Sequence, residues 1–232
     1  MKNIKIFTAF HKDYELPQDE YHIPVHVGKA KSNIKLPFIW DDTGDNISLK
    51  NPNYCELTML YRVWKNYDLH DTDYIWLAHY RRIFNIKNIV KKINHYDIIV
   101  PFKIISEGSL FISLESQYKH CHIPEDFDTL KNVLYALYPE YKEYDYIFTK
   151  KHLFFMRWCF YNMFIMKKKL FFDYCEWLFH VLFEYENKVQ ISIYPYQARI
   201  FWFIGERLFN IWLEKEKVLE KKKVSATKLI YL

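Results

Sequence analysis

Residues 73–84 read Asp73-Tyr74-Ile75-Trp76-Leu77-Ala78-His79-Tyr80-Arg81-Arg82-Ile83-Phe84, an apolar run that ends abruptly in a histidine and two arginines. An apolar run this short, without helical spacing, predicts a buried strand. Open α/β sheets bind ligands just beyond the carboxyl ends of such strands, and His79, Arg81 and Arg82 fall there. Because the guanidinium fork suits phosphate oxygens, the pattern indicates an anion site. The alternative is that both arginines pair with surface carboxylates and that His79 is a hydrogen-bonded core residue.

Length and composition predict one globular domain. The 232 residues are 50% hydrophobic and 20% aromatic, which excludes disorder and allows a single sizeable core. Only 4 glycines occur, so no Gly-rich phosphate loop or dinucleotide fingerprint can be built. The four cysteines have no C-x-x-C spacing, which disfavours structural zinc and a disulfide framework and is typical of a reduced cytosolic protein. Because no signal peptide or spanning segment is visible, we expect a cytoplasmic protein.

The hydrophobic patterns along the chain predict an α/β fold. A first strand at 4–10 ends at His11 and Lys12, which again places a ring nitrogen and a cation at a carboxyl edge. Further strands are expected at 23–27, 96–100 and 161–166, and helices at 53–66, 86–94, 128–138, 168–187 and 196–217.

An acidic loop precedes the first predicted helix. Asp41, Asp42 and Asp45 crowd three carboxylates into five residues, next to Asn46. Crowded carboxylates repel one another unless they bind a cation, accept donors or cap a helix. We favour contact with a metal or with sugar hydroxyls, and helix capping is the alternative.

A second ionisable cluster runs from His120 to Asp128. His120 and His122 are followed by Glu125, Asp126 and Asp128, which resembles a metal or acid/base cluster on one loop. The alternative is a helix start at Pro124 and Asp126.

Basic residues are concentrated in two regions, although the net charge is only +5. Such clusters beside aromatic residues can attach a protein to an anionic bilayer, or can simply form a solvated face. The small charge and the lack of a recognition motif disfavour a nucleic-acid partner. The two regions contain Lys150, Lys151, Arg157, Lys167, Lys168 and Lys169, and Lys221, Lys222 and Lys223 in the tail.

A set of short motifs recurs in the same order in one known family. The motifs are Phe10-His11-Lys12, Asp41-Asp42-Thr43-Gly44-Asp45-Asn46-Ile47-Ser48, Tyr54-Cys55-Glu56-Leu57-Thr58, Trp64-Lys65-Asn66, His79-Tyr80-Arg81-Arg82, Asp97-Ile98-Ile99-Val100-Pro101, Asn162-Met163-Phe164-Ile165-Met166 and Glu206-Arg207-Leu208. Over nearly its whole length the chain resembles, through these motifs, a family of bacterial glycosyltransferases, formerly a domain of unknown function, encoded in capsule, exopolysaccharide and O-antigen gene clusters. A characterised member of that family transfers galactofuranose from its UDP donor to a growing polysaccharide.

The resemblance implies a single-domain GT-A-like fold, with a mixed, mainly parallel central sheet flanked by helices and a helical C-terminal part. We place the glycosyltransferase domain at 1–214 and a basic tail, which we expect to fray, at 215–232. The implied activity is an inverting transfer, with galactofuranose as the first candidate sugar, onto a lipid-linked glycan in capsular or O-antigen synthesis. A lipid-linked acceptor implies peripheral contact with the anionic inner face of the membrane. The competing hypothesis is a non-catalytic glycan- or nucleotide-sugar-binding module.

The donor site has two possible chemistries. Most GT-A enzymes hold a divalent metal with a D-x-D pair where this chain has His79-Tyr80-Arg81. We therefore expect Arg81, Arg82 or both to neutralise the leaving diphosphate without a cofactor. Mn²⁺ or Mg²⁺ held by the acidic loop is the alternative. The predicted donor-binding residues are His11, Asp41, Asp42, Asp45, Asn46, His79, Arg81 and Arg82.

An inverting transfer also needs a base near the acceptor hydroxyl. The candidates are Asp126, Glu125 and His120, with Asp173 or Glu176 in reserve. Two positions depart from the family pattern: Cys121 interrupts a run of histidine and tyrosine, and Trp202 stands where a glycine is expected. We expect the Trp202 change to affect only packing. The predicted acceptor contacts are His122, Asn162, Gln197 and Arg199.

Overall fold

The computed structural model describes residues 2–15, 19–101, 113–150, 159–218, 220–227 and 229–231. Lys151 and Arg157, two of the clustered basic residues, lie outside these ranges. Within them, no helix combines the length and the apolar character that crossing a bilayer requires.

One sheet contains all nine strands of the described residues. The strands are β1 Ile4–Phe10, β2 His22–His26, β3 Ile39–Trp40, β4 Tyr74–His79, β5 Arg82–Phe84, β6 Ile98–Pro101, β7 Phe164–Lys167, β8 Val224–Thr227 and β9 Leu229–Tyr231.

The sheet is mixed and mainly parallel, as predicted. Its order is β3-β2-β1-β4-β7-β6-β8, and only β7 runs antiparallel to its neighbours on this path. A short hairpin strand, β5, turns back against the end of β4 and also pairs with β9. The carboxyl ends of β1 and β4 therefore lie side by side, since the two strands are parallel neighbours.

Helices cover the sheet on both faces. The larger core cluster packs α2, α7 and α8 against side chains such as Phe7 and Leu77, while a smaller cluster around Trp76 and Ile165 covers the opposite face. The helices are α1 Asn51–Tyr54, α2 Leu57–Asn66, α3 Ile86–Val90, α4 Leu114–Cys121, α5 Pro124–Leu137, α6 Tyr146–Thr149, α7 Lys168–Glu186 and α8 Ile200–Val218. Successive strand residues point to opposite faces, so a strand that is buried throughout, such as β4, contributes to both clusters.

Three predicted elements differ from the structure. The predicted helix at 53–66 is two helices, because Cys55 interrupts it with φ 50° and ψ −129°. His120 lies in the last turn of α4 rather than on a loop. Ser113 caps the start of that helix through reciprocal hydrogen bonds with Ser116. The expected frayed tail contains the end of α8, and then β8 and β9, which add to the sheet through backbone pairing.

Candidate active site

A cavity of about 650 Å³ opens at the carboxyl ends of β1 and β4. The turn after β4, the α1–α2 junction and the start of α8 enclose it, so segments far apart in sequence meet there. Its ionisable lining includes His11, Glu56, His79, Arg81, Arg82 and Arg199. Four of these six, His11, His79, Arg81 and Arg82, were predicted because strand ends on one edge of a parallel sheet come together. Arg199 was predicted as an acceptor contact. Glu56 was not predicted.

Glu56, which is partly exposed, forms an ion pair with the buried His79. Glu56 Oε1 lies 2.7 Å from His79 Nδ1, and His79 Nε2 lies 2.7 Å from the Tyr161 carbonyl oxygen. Both ring nitrogens thus face acceptors, so the ring donates twice and carries a positive charge. Burial would lower the pKa of His79, but the Glu56 carboxylate outweighs burial and raises it. Burial would raise the pKa of Glu56, but the imidazolium outweighs burial and lowers it.

The second carboxylate oxygen of Glu56 is left without a partner. Oε2 is buried and makes no hydrogen bond with any described residue. A buried carboxylate oxygen without a donor is costly, and such atoms in native structures call for an explanation. Glu56 itself lines the cavity, so a ligand bound there lies next to this carboxylate.

The cavity has a cationic wall. Among the described residues, Arg81, Arg82 and Arg199 form no ion pair with a carboxylate. Arg82 instead stacks 4.1 Å from the Tyr161 ring centroid, and Arg199 stacks 4.4 Å from that of Trp202. The alternative that Arg81 and Arg82 pair with surface carboxylates is therefore wrong for the described residues, and these guanidinium groups remain available to an anion.

The carbonyl that bonds His79 Nε2 belongs to a left-handed turn. Tyr161 and Asn162 both have positive φ, 78° and 48°, although neither is glycine. Glu206 Oε1 holds the turn by accepting the Tyr161 N–H at 2.7 Å, and Glu206 Oε2 accepts from Arg207 at 2.9 Å. Unusual backbone conformations persist only where the surroundings hold them, and they cluster at functional sites.

Cys55 places Glu56 at the cavity. Its φ of 50° with ψ of −129° lies in a region that residues with a side chain rarely adopt. Its Sγ accepts from Arg199 Nε at 3.2 Å, which ties the α1–α2 junction to the start of α8. Burial raises the pKa of the Cys55 thiol to about 12, so the sulfur is a neutral structural contact rather than a thiolate nucleophile.

Comparison with known proteins identifies the family. A sequence model described as a domain of unknown function (DUF4422) matches residues 5–217. The chain belongs to the DUF4422 family.

A solved structure shows the same fold. The apo structure of WbbM, described as a bifunctional glycosyltransferase, superimposes with a TM-score of 0.83 at 29% sequence identity. The match covers 98% of this chain and 45% of the WbbM chain, so the chain spans less than half of WbbM. The predicted α/β architecture, a central sheet flanked by helices with a helical C-terminal part, is confirmed. No curated protein matches the chain.

The acidic loop of this DUF4422 chain has a structural role at Asp41. Its carboxylate is fully buried and accepts four bonds of 2.6–3.0 Å, from the backbone of Gly28 and Lys29 and the hydroxyls of Ser48 and Thr58. Neither Asp41 nor the remaining polar residues of the loop line the cavity. Asp45 accepts from Tyr61, and Asn46 bonds within its own turn to the backbone of Gly44 and Ser48. The buried Oδ1 of Asp42 has no hydrogen-bond partner within the ranges that the structure describes.

The second ionisable cluster also lies outside the cavity. His120 and Glu125 are exposed, and neither they nor Asp126 line it. Burial and the neighbouring Glu125 raise the pKa of Asp126 to about 6, and the Tyr185 hydroxyl donates to the Asp126 backbone carbonyl at 3.0 Å. His122 is bound to Gln197 at 3.1 Å, and burial lowers its pKa to about 4.

The predicted acceptor contacts separate in the structure. Arg199 lines the cavity, whereas Asn162 is buried in the left-handed turn, where its Nδ2 bonds the Trp202 carbonyl at 3.2 Å. Trp202 was expected to affect only packing. Its ring also lines the cavity, where Arg199 stacks on it.

The described residues offer no clustered set of metal ligands. They contain no group of three or more His, Cys, Asp or Glu side chains placed to hold one. Asp41, the centre of the alternative metal site, has its oxygens saturated by protein donors. At the end of β4, where a carboxylate pair would be needed, the chain has His79 and two arginines.

Proposed function

We propose that this chain is a glycosyltransferase that transfers a sugar from a UDP donor bound in the cavity. The observation that carries the proposal is the meeting, in one cavity, of three arginines and a glutamate oxygen: among the described residues, the arginines have no carboxylate partner and the oxygen has no hydrogen-bond donor. The first suits a diphosphate and the second suits a hydroxyl. Similarity to part of a bifunctional glycosyltransferase supports the same reaction class.

The cationic wall would hold the leaving diphosphate. Arg81, Arg82 and Arg199 supply three positive charges, and the His79 imidazolium lies at the same strand end. When the bond between the anomeric carbon and the phosphate oxygen breaks, its electron pair moves to UDP. Fixed cations around that oxygen stabilise the developing charge without a metal ion.

Glu56 is the base in this proposal. Its unpaired Oε2 takes the proton of the acceptor hydroxyl as that oxygen attacks the anomeric carbon, on the face opposite the departing UDP, which inverts the configuration. His79 is a positioning residue, because its bond to Oε1 fixes the carboxylate and keeps it ionised before the reaction. This assignment replaces Asp126, Glu125 and His120, which do not line the cavity.

The finer identity of the substrates follows from the sequence resemblance. We propose galactofuranose as the first candidate sugar, and a lipid-linked glycan of capsular or O-antigen synthesis as the acceptor. The reaction would then take place at the cytoplasmic face of the membrane, on a GT-A-like scaffold.

The test is UDP release and product mass with a panel of UDP-sugars that includes galactofuranose and galactopyranose forms, each with a glycan acceptor. We expect acceptor-dependent release that persists in excess chelator and falls in Glu56→Gln. Tight UDP binding without release from any donor would favour the non-catalytic binding module. Complete loss with chelator that Mn²⁺ restores would contradict the metal-free donor site.

A further inference from the structure

The loop between α7 and α8 exposes a continuous set of apolar side chains. Ile193 is 89% exposed, Tyr194 68%, Tyr196 57% and Ile191 43%. Single exposed apolar residues need no explanation, but a concentration of them along one loop marks an interaction surface.

The backbone of this 191–196 loop is held in turns. Ser192 Oγ accepts the Tyr194 N–H at 3.2 Å, and the Tyr194 carbonyl accepts the Ala198 N–H at 2.8 Å. A defined turn therefore presents these side chains, and the loop backbone loses less conformational entropy when it binds.

The loop lies at the rim of the cavity. Pro195, within it, lines the cavity, as do Ala198 and Arg199 directly after it. Leu49, 63% exposed, lies just before Asn51 and Pro52, which line the cavity from the other chain segment. The neighbouring Lys50 Nζ lies 2.5 Å from Glu186 Oε2, so the segment of Leu49 is bonded to the end of α7, from which the 191–196 loop continues.

The side chains match a bilayer surface in chemistry. Isoleucine partitions into the acyl region, and tyrosine is enriched where one end of its ring is apolar and the other end is wet. Exposed cations at Lys12, Arg81 and Lys188 lie on the segments that form or lead into this rim, and they suit anionic headgroups.

Of the basic residues that the sequence suggested for membrane contact, Lys167, Lys169 and Lys223 lie at the other edge of the sheet. Lys167 pairs in register with Tyr74, the first residue of β4, whereas the cavity begins at His79, roughly 17 Å along that strand. Lys167 and Lys169 are also ion-paired, with Asp97 and Asp173, each at 2.6 Å. The Lys223 N–H bonds the same Asp97, so this part of the tail lies at that edge too. Docking through these residues would turn the cavity away from the bilayer.

We propose that the 191–196 loop is a membrane-docking surface that inserts Ile193 and Tyr194 into a lipid bilayer and sets the cavity mouth against it. Docking itself requires no catalysis. Its use, delivery of a lipid-linked acceptor to Glu56, rests on the proposed function.

The test is co-flotation of the chain with vesicles of phosphatidylcholine, with or without phosphatidylglycerol, at low and high salt. The wild type binds both vesicle types, more tightly with the anionic lipid, and apolar insertion keeps part of the binding at high salt. The double substitution Ile193→Asp with Tyr194→Asp lowers vesicle affinity by at least about tenfold, because it removes two buried apolar side chains. The milder Ile193→Ser lowers it less, in the same direction.

Two control variants match these changes at the opposite edge. Phe172→Asp alters an apolar residue that is 37% exposed near the start of α7, and Lys169→Gln removes a cation there. Both control variants keep wild-type vesicle binding and wild-type thermal unfolding. The loop variants also keep wild-type thermal unfolding.

Four results would overturn the proposal. The first two are equal vesicle binding by the wild type and the loop variants, and no wild-type binding to either vesicle type. The third is vesicle binding that Lys169→Gln removes. The fourth is a dimer, detected by sedimentation and abolished in the loop variants, in a protein that does not bind vesicles.

Transfer assays separate this proposal from the catalytic one. The loop variants keep turnover with a soluble acceptor and lose it with an acceptor embedded in vesicles. If no donor is turned over at all, the flotation result still decides the docking.

Discussion

Glu56 Oε1 lies 2.7 Å from Nδ1 of His79, and the other nitrogen of that ring faces the carbonyl of the left-handed residue Tyr161. The ring thus donates in both directions and carries a charge at the end of the central strand. This arrangement keeps Glu56 Oε1 occupied, and Oε2 is buried with no hydrogen-bond partner in the described part of the chain. One carboxylate is therefore both an anchor for the cation and a free acceptor for a substrate hydroxyl.

The first prediction concerns Glu56 as the base. Glu56→Gln should lower kcat for transfer by about a hundredfold or more, with a smaller change in the KM for the UDP-sugar, because the amide cannot take the proton. The matched control is Glu125→Gln, the same change at an exposed residue outside the cavity, which should keep wild-type turnover. Normal turnover of Glu56→Gln together with loss in Asp126→Asn would return the base to the cluster proposed from sequence.

The second prediction concerns pH and stability. The raised pKa of His79 gives a stabilisation that is fully present below its ordinary value of 6.5 and is lost as the pH rises through the raised value. The lowered pKa of Glu56 gives a stabilisation that is present above its ordinary value of 4.5 and is lost as the pH falls through the lowered value. The pair therefore stabilises the fold most between pH 4.5 and 6.5.

Urea unfolding of the wild type and of the Glu56→Gln, His79→Gln double variant, across this range and beyond it on both sides, measures the effect. The difference in unfolding free energy should shrink at both ends. A difference that stays constant with pH would show that the pair is not charged. The single variant Glu56→Gln should cost about 3 kcal/mol near pH 6, because it leaves a buried cation without its counter-ion.

Strand ends were the part of the site that sequence could predict. His11, His79, Arg81 and Arg82 follow apolar runs, and strand ends on one edge of a parallel sheet bring such residues together whatever the details of packing. Glu56 could not be found in this way. Its motif was visible, but its position depends on the left-handed backbone of Cys55, and no local pattern requires that conformation in a cysteine.

The acidic loop shows the opposite failure. Crowded carboxylates suggested a ligand, because a single helix cap would use only one of them. In the structure Asp41 is satisfied by Gly28 and Thr58, which lie on either side of it in sequence and reach it only in the folded chain. Long-range bonds of this kind leave no periodic trace. The two C-terminal strands were missed for the same reason. They are short and follow a run of lysines, a pattern that is typical of a solvated tail.

The third prediction concerns the cationic wall. Arg81→Gln and Arg199→Gln should each weaken UDP binding by about ten- to a hundredfold, since a hydrogen bond to a charged group contributes about 1.5–3 kcal/mol. Isothermal titration with UDP measures this without catalysis. Lys87→Gln, which removes an exposed cation on α3 outside the cavity, is the control and should leave the affinity unchanged. Unchanged affinity in both arginine variants would mean that the diphosphate binds elsewhere.

The fourth prediction separates a structural from a ligand-binding role for Asp41. In the wild type, the Asp41 carboxylate accepts hydrogen bonds from four donors. Asp41→Asn replaces one of its oxygens by an NH₂ group, which cannot accept them. The donors belong to Gly28, Lys29, Ser48 and Thr58. The substitution should lower the unfolding free energy by about 2–4 kcal/mol, because buried donors lose a charged acceptor. UDP affinity of the fraction that remains folded should stay at the wild-type value, since Asp41 does not line the cavity.

Asp42→Asn is the matched control for this change, next to Asp41 in the same loop. Its buried Oδ1 has no hydrogen-bond partner among the described residues, so the substitution breaks no bond there and should change stability by less than about 0.5 kcal/mol. Urea unfolding monitored by tryptophan fluorescence, combined with UDP titration under native conditions, distinguishes the two roles. If Asp41→Asn unfolds like the wild type and fails to bind UDP, Asp41 belongs to the donor site and the structural role assigned to it is wrong.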